Sequence, residues 1–409
     1  MDSSLVATDP AGSTAPRSGT VDKSLVERVR ARLVGSGAAP TSASVAAAVR
    51  QEAGGLVSDA DILTAIQLMQ QEFLGAGALE PLLRSGAVTD VLVTSPDEVW
   101  VDRGGGLERA AVRFPDEESV RRLAQRLAMI CGRRLDDAQP WVDGWLTLDG
   151  VNGSVRMHAV LPPVAAGHTC ISLRVLRPAA HSLDALQRSG TFEPAITAVL
   201  RSIIASKLAF LVVGGTAAGK TTLLAAMLSE VPRPERIVCI EEAAELQPRH
   251  PHVVRMLTRP PNVEGAGEIR VRELVRQALR MRPDRLVVGE VRGSEVCELL
   301  AALNTGHDGG CGTLHANSPQ EVPARVEALA ALGGLSRAAL HSQLAAAVQV
   351  VLHMRRTADR GRHLSAIGVL RRDGDWVHVE PAWQAGLGWS TGRERLVELL
   401  EDRGEALPC

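Results

Sequence analysis

The residues best placed to do chemistry are Lys220 and Thr221, near the end of Gly214-Gly-Thr-Ala-Ala-Gly-Lys-Thr-Thr222. Gly214, four further residues, then Gly219, Lys220 and Thr221 fit the phosphate-loop pattern. An apolar run over 208–213 precedes it and a helix-forming run over 223–228 follows. The spacing therefore predicts strand, glycine-rich loop and helix. The amides of Gly214, Gly215, Thr216, Ala217, Ala218 and Gly219, with the helix N-terminus, would cradle a polyphosphate. Lys220 would reach the β- and γ-phosphates, and the Thr221 hydroxyl would ligate magnesium, with Thr222 closing the loop. A glycine-rich turn beside a solvated lysine is the bland alternative, and the flanking strand and helix weigh against it.

Carboxylates recur where apolar runs end. The run over 236–240 leads into Glu241, Glu242 and, a little further, Glu245. Open α/β sheets place ligand chemistry at the carboxyl ends of strands. A helix N-terminus stocked with acids for dipole reasons explains the same residues equally well. The run over 286–288 is followed by Glu290. That is the form of a strand whose acid faces magnesium and the attacking water from beside the phosphate loop. Glycines at 306, 309, 310 and 312 then lead to a short strand, 313–315, ending in His315. His307 and His315 lack the further ligands a metal site needs; beside a nucleotide, His315 would sense the γ-phosphate. Arginines crowd the helical stretch before Glu290, at Arg270, Arg272, Arg276, Arg280, Arg282 and Arg285. They suit a solvated face or a phosphate sensor between subunits.

These residues need elements to position them. The chain has 409 residues, enough for two or three domains. Apolar residues make up 45% and charged residues 22%, the balance of a globular protein whose core is Leu, Val, Ile and Ala, since aromatics are only 2%. A formal charge of −2 excludes a generic polyanion binder, and the few aromatics give no stacking platform, so direct nucleic-acid binding is not expected. Six scattered cysteines form no C-x-x-C pair, which fits a reducing, cytoplasmic setting. No signal peptide or membrane span is expected from the pattern. Residues 1–20 read as a disordered tail and 21–75 as a helical region, with Leu25, Val26, Val29 and Leu33 at helical spacing. An α+β domain follows over 76–178, with strands over 88–96, 99–102, 155–161 and 170–176 and a helix over 117–131 whose apolar face is Val120, Leu123, Leu127 and Ile130. Arg156 and Arg174 lie on its last strands; solubility alone would explain them. A linker spans 179–190, and an α/β nucleotide-binding domain spans 191–409.

Four segments together resemble the type II/IV secretion ATPase superfamily, most closely its CpaF-like branch of tight-adherence (Tad) pilus assembly. They are Gly214 to Thr222, Ile240-Glu-Glu-Ala-Ala-Glu-Leu-Gln247, Leu279-Arg-Met-Arg-Pro-Asp-Arg-Leu-Val-Val-Gly-Glu-Val-Arg-Gly293 and Gly312-Thr-Leu-His-Ala-Asn-Ser-Pro319. The resemblance covers roughly 75–355. It implies a RecA-like P-loop NTPase C-terminal domain, an α+β N-terminal domain, and ATP with Mg2+ in the cleft between them. It implies a homo-hexameric ring at the inner face of the cytoplasmic membrane, docked on an inner-membrane platform protein of a pilus or secretion system. Carried over, Lys220 and Thr221 bind phosphate and Mg2+, Glu241 and Glu242 form the acidic box, Glu290 orients the attacking water, and His315 is the histidine-box residue. Glu242 and Glu290 join Thr221 around the metal. Arg156 and Arg174 reach the nucleotide from the N-terminal domain; Arg280 and Arg282 neutralise charge within or between subunits.

The sequence departs from the family at three places. The acidic box has Glu242 where Asp is usual, Cys311 replaces a Ser or Met, and the segment 145–154 is longer than the usual compact turn. Two other readings stay open: a conjugation or type IV secretion ATPase moving DNA or effectors, and a nucleotide-gated regulatory module with little turnover.

Overall fold

The computed structural model describes residues 28–29, 31–33, 35, 42–52, 75–176, 182–262 and 265–408. The expected tail at 1–20, the helical patterns over 59–73 and the linker at 179–181 lie outside the described residues. The chain divides into two compact units, one ending at Val175 and one starting at Leu176.

In the first unit, helix α1 spans Ser42–Glu52 and a short α2 spans Glu80–Arg84. Strands β1 (Asp90–Ser95), β2 (Glu98–Asp102) and β3 (Leu107–Arg109) precede helix α3 (Glu117–Ile130). Strands β4 (Trp141–Leu146), β5 (Ser154–Val160) and β6 (Cys170–Leu176) complete a six-stranded sheet in the order β3-β2-β1-β6-β5-β4. Period-two alternation sets its inner face: Val91 and Val93, Val99 and Val101, Val155 and Met157, Ile171 and Leu173 are buried together. Asp116 caps α3 by accepting from the Ser119 amide at 2.8 Å, and Val120, Leu123, Ala124 and Leu127 face inward. Ile130, expected on that apolar face, is 46% exposed because the helix ends there. The segment 145–154 begins inside β4 and turns into β5.

The second unit opens with α4 (Leu183–Arg188), whose Ser182 cap accepts from the Ala185 amide, and α5 (Pro194–Ala205). Then come β7 (Phe210–Gly214), α6 (Lys220–Leu228), β8 (Ile237–Glu241), β9 (Val253–Leu257) and α7 (Val271–Ala278). β10 (Arg285–Val291), α8 (Glu295–Leu303) and β11 (Cys311–Leu314) follow. Beyond residue 317 the sequence pattern assigns no element. The structure has α9 (Val322–Leu332), α10 (Arg337–Ala347), β12 (Val350–Thr357), β13 (Gly361–Asp373), β14 (Trp376–Gln384), β15 (Gly388–Trp389) and α11 (Arg393–Glu401) there.

All nine strands join one sheet in the order β15-β14-β13-β12-β7-β11-β10-β8-β9. From β12 to β9 every pairing is parallel, and β13 to β15 extend it as an antiparallel meander. A parallel sheet is covered on both faces, so its strands read as unbroken apolar runs. β7 shows this: Phe210 and Val212 enter one core with α5 and α6, while Leu211 and Val213 enter the other with α8 and α10. This is the RecA-like arrangement.

Arg285 opens β10 fully buried. Its Nε donates to Glu235 Oε2 at 2.6 Å and its Nη2 to the Ile204 carbonyl, near the end of α5, at 2.8 Å. The side chain leaves room for no Cβ at 309, where Gly309 also has φ +71°. Removing Arg285 takes a charge-assisted pair and the bond to Ile204 out of a buried site, although Lys207 Nζ, 3.2 Å from Glu235 Oε1, still faces the acid. Arg285→Met is therefore expected to lower the urea midpoint of the second unit substantially; an unchanged midpoint would show the pair to be dispensable.

Candidate functional site

β7 stops at Gly214, where the chain passes so close to β12 that a Cβ would lie 2.2 Å from the Met354 carbonyl oxygen. Gly214 has φ +149°, and Ala217 (φ +57°) and Gly219 (φ +94°) lie in the left-handed region as the loop turns back into α6. The amides of Thr216, Ala217, Ala218, Gly219 and Lys220 donate no hydrogen bond among the described residues. A run of unpaired amides at a helix start is a ready anion cradle. Lys220 is buried, and its Nζ donates to the carbonyls of Gly214 (3.0 Å) and Gly215 (2.9 Å). Burial pulls its pKa below the ordinary lysine value, opposed by nearby Glu290. Thr221 and Thr222 follow, half-buried, on the first turn of α6. Arg362 Nε on β13 donates to the Ala217 carbonyl at 3.0 Å and braces the loop from outside.

The strand order β7-β11-β10-β8 brings the other elements to the same edge. His315 directly follows β11, and Glu290 is near the end of β10; their Nε2 and Oε1 are 2.7 Å apart. Burial and Lys220 push the His315 pKa below the usual imidazole value, although Glu290 draws it upward. Arg292 spans two acids: Nη1 meets Glu242 Oε2 at 2.6 Å and Nη2 meets Glu290 Oε2 at 2.6 Å. Lys220, Glu290, His315, Arg292 and Glu242 thus form one charged cluster beside the loop.

Glu241 behaves differently from the expectation of a catalytic acid. It is buried, and its Oε1 accepts from the amides of Glu245 (3.0 Å) and Leu246 (2.8 Å). It holds the bend after β8, which is no helix, and burial raises its pKa to about 7. Only Glu242 of the pair joins the charged cluster. Arg280 and Arg282 are corrected in part. They precede β10, whereas Glu290 lies near its far end; a seven-residue strand spans roughly 20 Å, so they sit at the opposite edge of the sheet from this loop. Charge neutralisation within the same subunit is excluded for them. Arg156 and Arg174 belong to the first unit, where Arg156 pairs with Asp143 at 3.0 Å and Arg174 with Asp90 at 2.8 Å. His307 caps a turn at the Ala302 carbonyl, 3.2 Å away.

Among the described residues no cluster of three His, Cys, Asp or Glu side chains is arranged to hold a metal. Magnesium is ordinarily held by one or two carboxylates together with substrate phosphates. The oxygen donors Thr221, Glu242 and Glu290 beside the loop's amide cradle fit that mode. Sequence reasoning missed Arg292, Arg362 and His353. Arg292 carried a signal, being two residues beyond Glu290 and so on the same side of an extended chain. The other two carried none. His353 on β12 is buried opposite Val213; its Nδ1 lies 2.8 Å from Ser365 Oγ and its ring also hydrogen-bonds to the Asn317 backbone. It ties β12 to the segment that carries His315.

Comparison with known proteins gives a consistent family. Residues 72–404 match the family profile described as type II/IV secretion system protein. A Mycobacterium tuberculosis protein named for conjugal transfer is 61% identical over 352 residues, covering 86% of this chain and 100% of its own length. TrbB of Sinorhizobium fredii, also named for conjugal transfer, is 32% identical over 303 residues, covering 73% of this chain and 87% of its own. The pilus retraction motor PilT, solved with bound ADP, is similar in fold, with a TM-score of 0.54 and 20% identity over 80% of this chain and 86% of its own.

His353 generates a pH prediction. Burial, aided by Arg355, pushes its pKa down to about 4 from an ordinary 6.5. Above 6.5 the ring is neutral folded or unfolded, and its contribution is constant. As pH falls from 6.5 toward 4 the unfolded chain takes up the proton first, so stability is lost across that window. Urea midpoints of the wild type should fall across it, and His353→Gln should flatten the slope; equal slopes would refute the role.

Proposed function

The chain belongs to the type II/IV secretion system protein family of secretion ATPases, and on that premise we propose that it hydrolyses Mg-ATP to drive a ring-shaped motor. The observation carrying this reading is the union, on neighbouring strand ends, of an amide cradle, Lys220, Glu290 and His315. The loop amides bind the polyphosphate, and Lys220 leaves the Gly214 and Gly215 carbonyls for the β/γ-phosphates. Glu290 orients the attacking water, and His315 holds Glu290 in place through the 2.7 Å approach of Nε2 to Oε1 while reporting on the γ-phosphate side. Bound Mg2+, held by Thr221 with Glu242 and Glu290, would supply charge neutralisation. The protein's share of catalysis is then positioning and preorganised charge.

The finer reading is a homo-hexamer in which Arg280 and Arg282 serve a neighbouring subunit's nucleotide. Arg156 and Arg174 are the N-terminal unit's arginines for the phosphates. No described helix is long and apolar enough to cross a membrane. Membrane attachment would run through a platform protein on the inner face. For cargo we favour pilin, from the Tad-like motifs at 214–222, 240–247, 279–293 and 312–319. The names of the two relatives favour conjugal transfer as the second reading. Deleting the gene separates them: loss of surface filaments with DNA transfer intact supports the first, and the reverse supports the second.

The purified chain should release phosphate from ATP. Lys220→Ala is expected to lose turnover by at least about a hundredfold, and Glu290→Gln to bind ATP yet hydrolyse it about a hundredfold more slowly. Full turnover in Glu290→Gln would remove that residue from the mechanism. No turnover in the unsubstituted chain, with nucleotide still bound, would point to a gated regulatory module, for which Glu242 in place of Asp is the supporting feature.

A further inference from the structure

We propose that Arg292 is a resident counter-cation, neutralising Glu242 and Glu290 whenever no divalent cation does so, and thereby setting how strongly nucleotide binding depends on that cation. The inference rests on the nucleotide-binding reading above.

The geometry is specific. One guanidinium joins acids carried by two different strand ends, with 2.6 Å to Glu242 Oε2 and 2.6 Å to Glu290 Oε2. The backbone beneath it is pinned. Buried Glu295 accepts from the Arg292 amide at 2.6 Å and from the Gly293 amide at 2.8 Å, so the turn into α8 is fixed. The side chain above it is 46% exposed, so water can reach both of its ion pairs. A fixed root with a solvent-accessible tip suits a group that yields its partners and recovers them.

Charge requires something of this kind. Glu242 and Glu290 share this one guanidinium, while the nearby Lys220 is engaged by the loop carbonyls of Gly214 and Gly215. An unneutralised pair of acids would repel a polyphosphate arriving beside it. Arginine meets the need because it does not deprotonate and its planar fork addresses two carboxylates at once. The strength is also suitable. Partly exposed ion pairs are weak, enough to neutralise the acids and little enough to be exchanged when a cation–nucleotide complex binds. Released from the acids, the same fork can face phosphate oxygens.

The test uses the full chain and a non-hydrolysable ATP analogue, with its affinity measured in excess EDTA and in excess Mg2+. The readout is the ratio of the two affinities. In Arg292→Gln the affinity in EDTA should fall while that in Mg2+ holds or rises, so the ratio should grow about fivefold or more. Arg292→Lys, which keeps the charge and loses the fork, should fall between. Glu242→Gln, which removes one acid and leaves the arginine, should move the ratio the opposite way. An unchanged ratio in Arg292→Gln, or an equal loss in both conditions, overturns the proposal and leaves Arg292 a structural tie. Thermal melting of each variant identifies unfolding, and the lysine and Glu242 variants then decide. Should the unsubstituted chain fail to bind the analogue in Mg2+, the nucleotide reading falls and this inference with it; binding without a ratio shift sinks this inference alone.

Discussion

Parallel hydrogen bonding among β7, β11, β10 and β8 is the constraint from which the site follows. Strands that run the same way deliver their carboxyl ends to one edge, and the helices connecting them must cover both faces. The order of strands in the sheet differs from their order in the chain. β11, later in sequence than β10, lies between it and β7. That exchange makes His315 the neighbour of both Glu290 and the phosphate loop. The two cores packed above and below fix the strand ends, so a small displacement of β10 would be felt in the position of Glu290.

The loop is built to hold opposite charges in turn. Its carbonyls at Gly214 and Gly215 retain Lys220, while its amides stay without internal acceptors. Burial disfavours the lysine's charge and Glu290 offsets part of that. Arg292 extends the same balance toward the acids, so the cluster is neutralised largely from within. Glu241 stands outside it and spends its hydrogen bonds on backbone amides. Adjacent residues at a strand end point to opposite sides, which is why one acid of the box shapes the turn and the other faces the site.

Much of this was legible in the sequence because local patterns carry it. The loop, the strands on either side of it and the capped helix α3 all follow from spacing and turn chemistry. The RecA-like fold came through resemblance and is what the strand order gives. What stayed hidden depended on distance in three dimensions. Arg280 and Arg282 sit near Glu290 in sequence, but a strand intervenes and carries them to the opposite edge. The bridge from Arg292 to Glu242 joins two strands, and no periodicity announces such a pair. The meander β13–β15 is likewise invisible to motif reasoning, yet it contributes Arg362 to the loop.

β12 is the seam of the large sheet, parallel to β7 on one side and antiparallel to β13 on the other. Gly214 fits only against the Met354 carbonyl of that strand, and Ala217 is held by Arg362 just beyond it. During synthesis, therefore, the glycine-rich turn emerges from the ribosome long before the strand it leans on has been made. Domains fold as units as their chain becomes available. The nascent chain must carry its most conspicuous motif in an unfinished state until residues 350–362 are out, and the pocket is among the last features of the second unit to take shape.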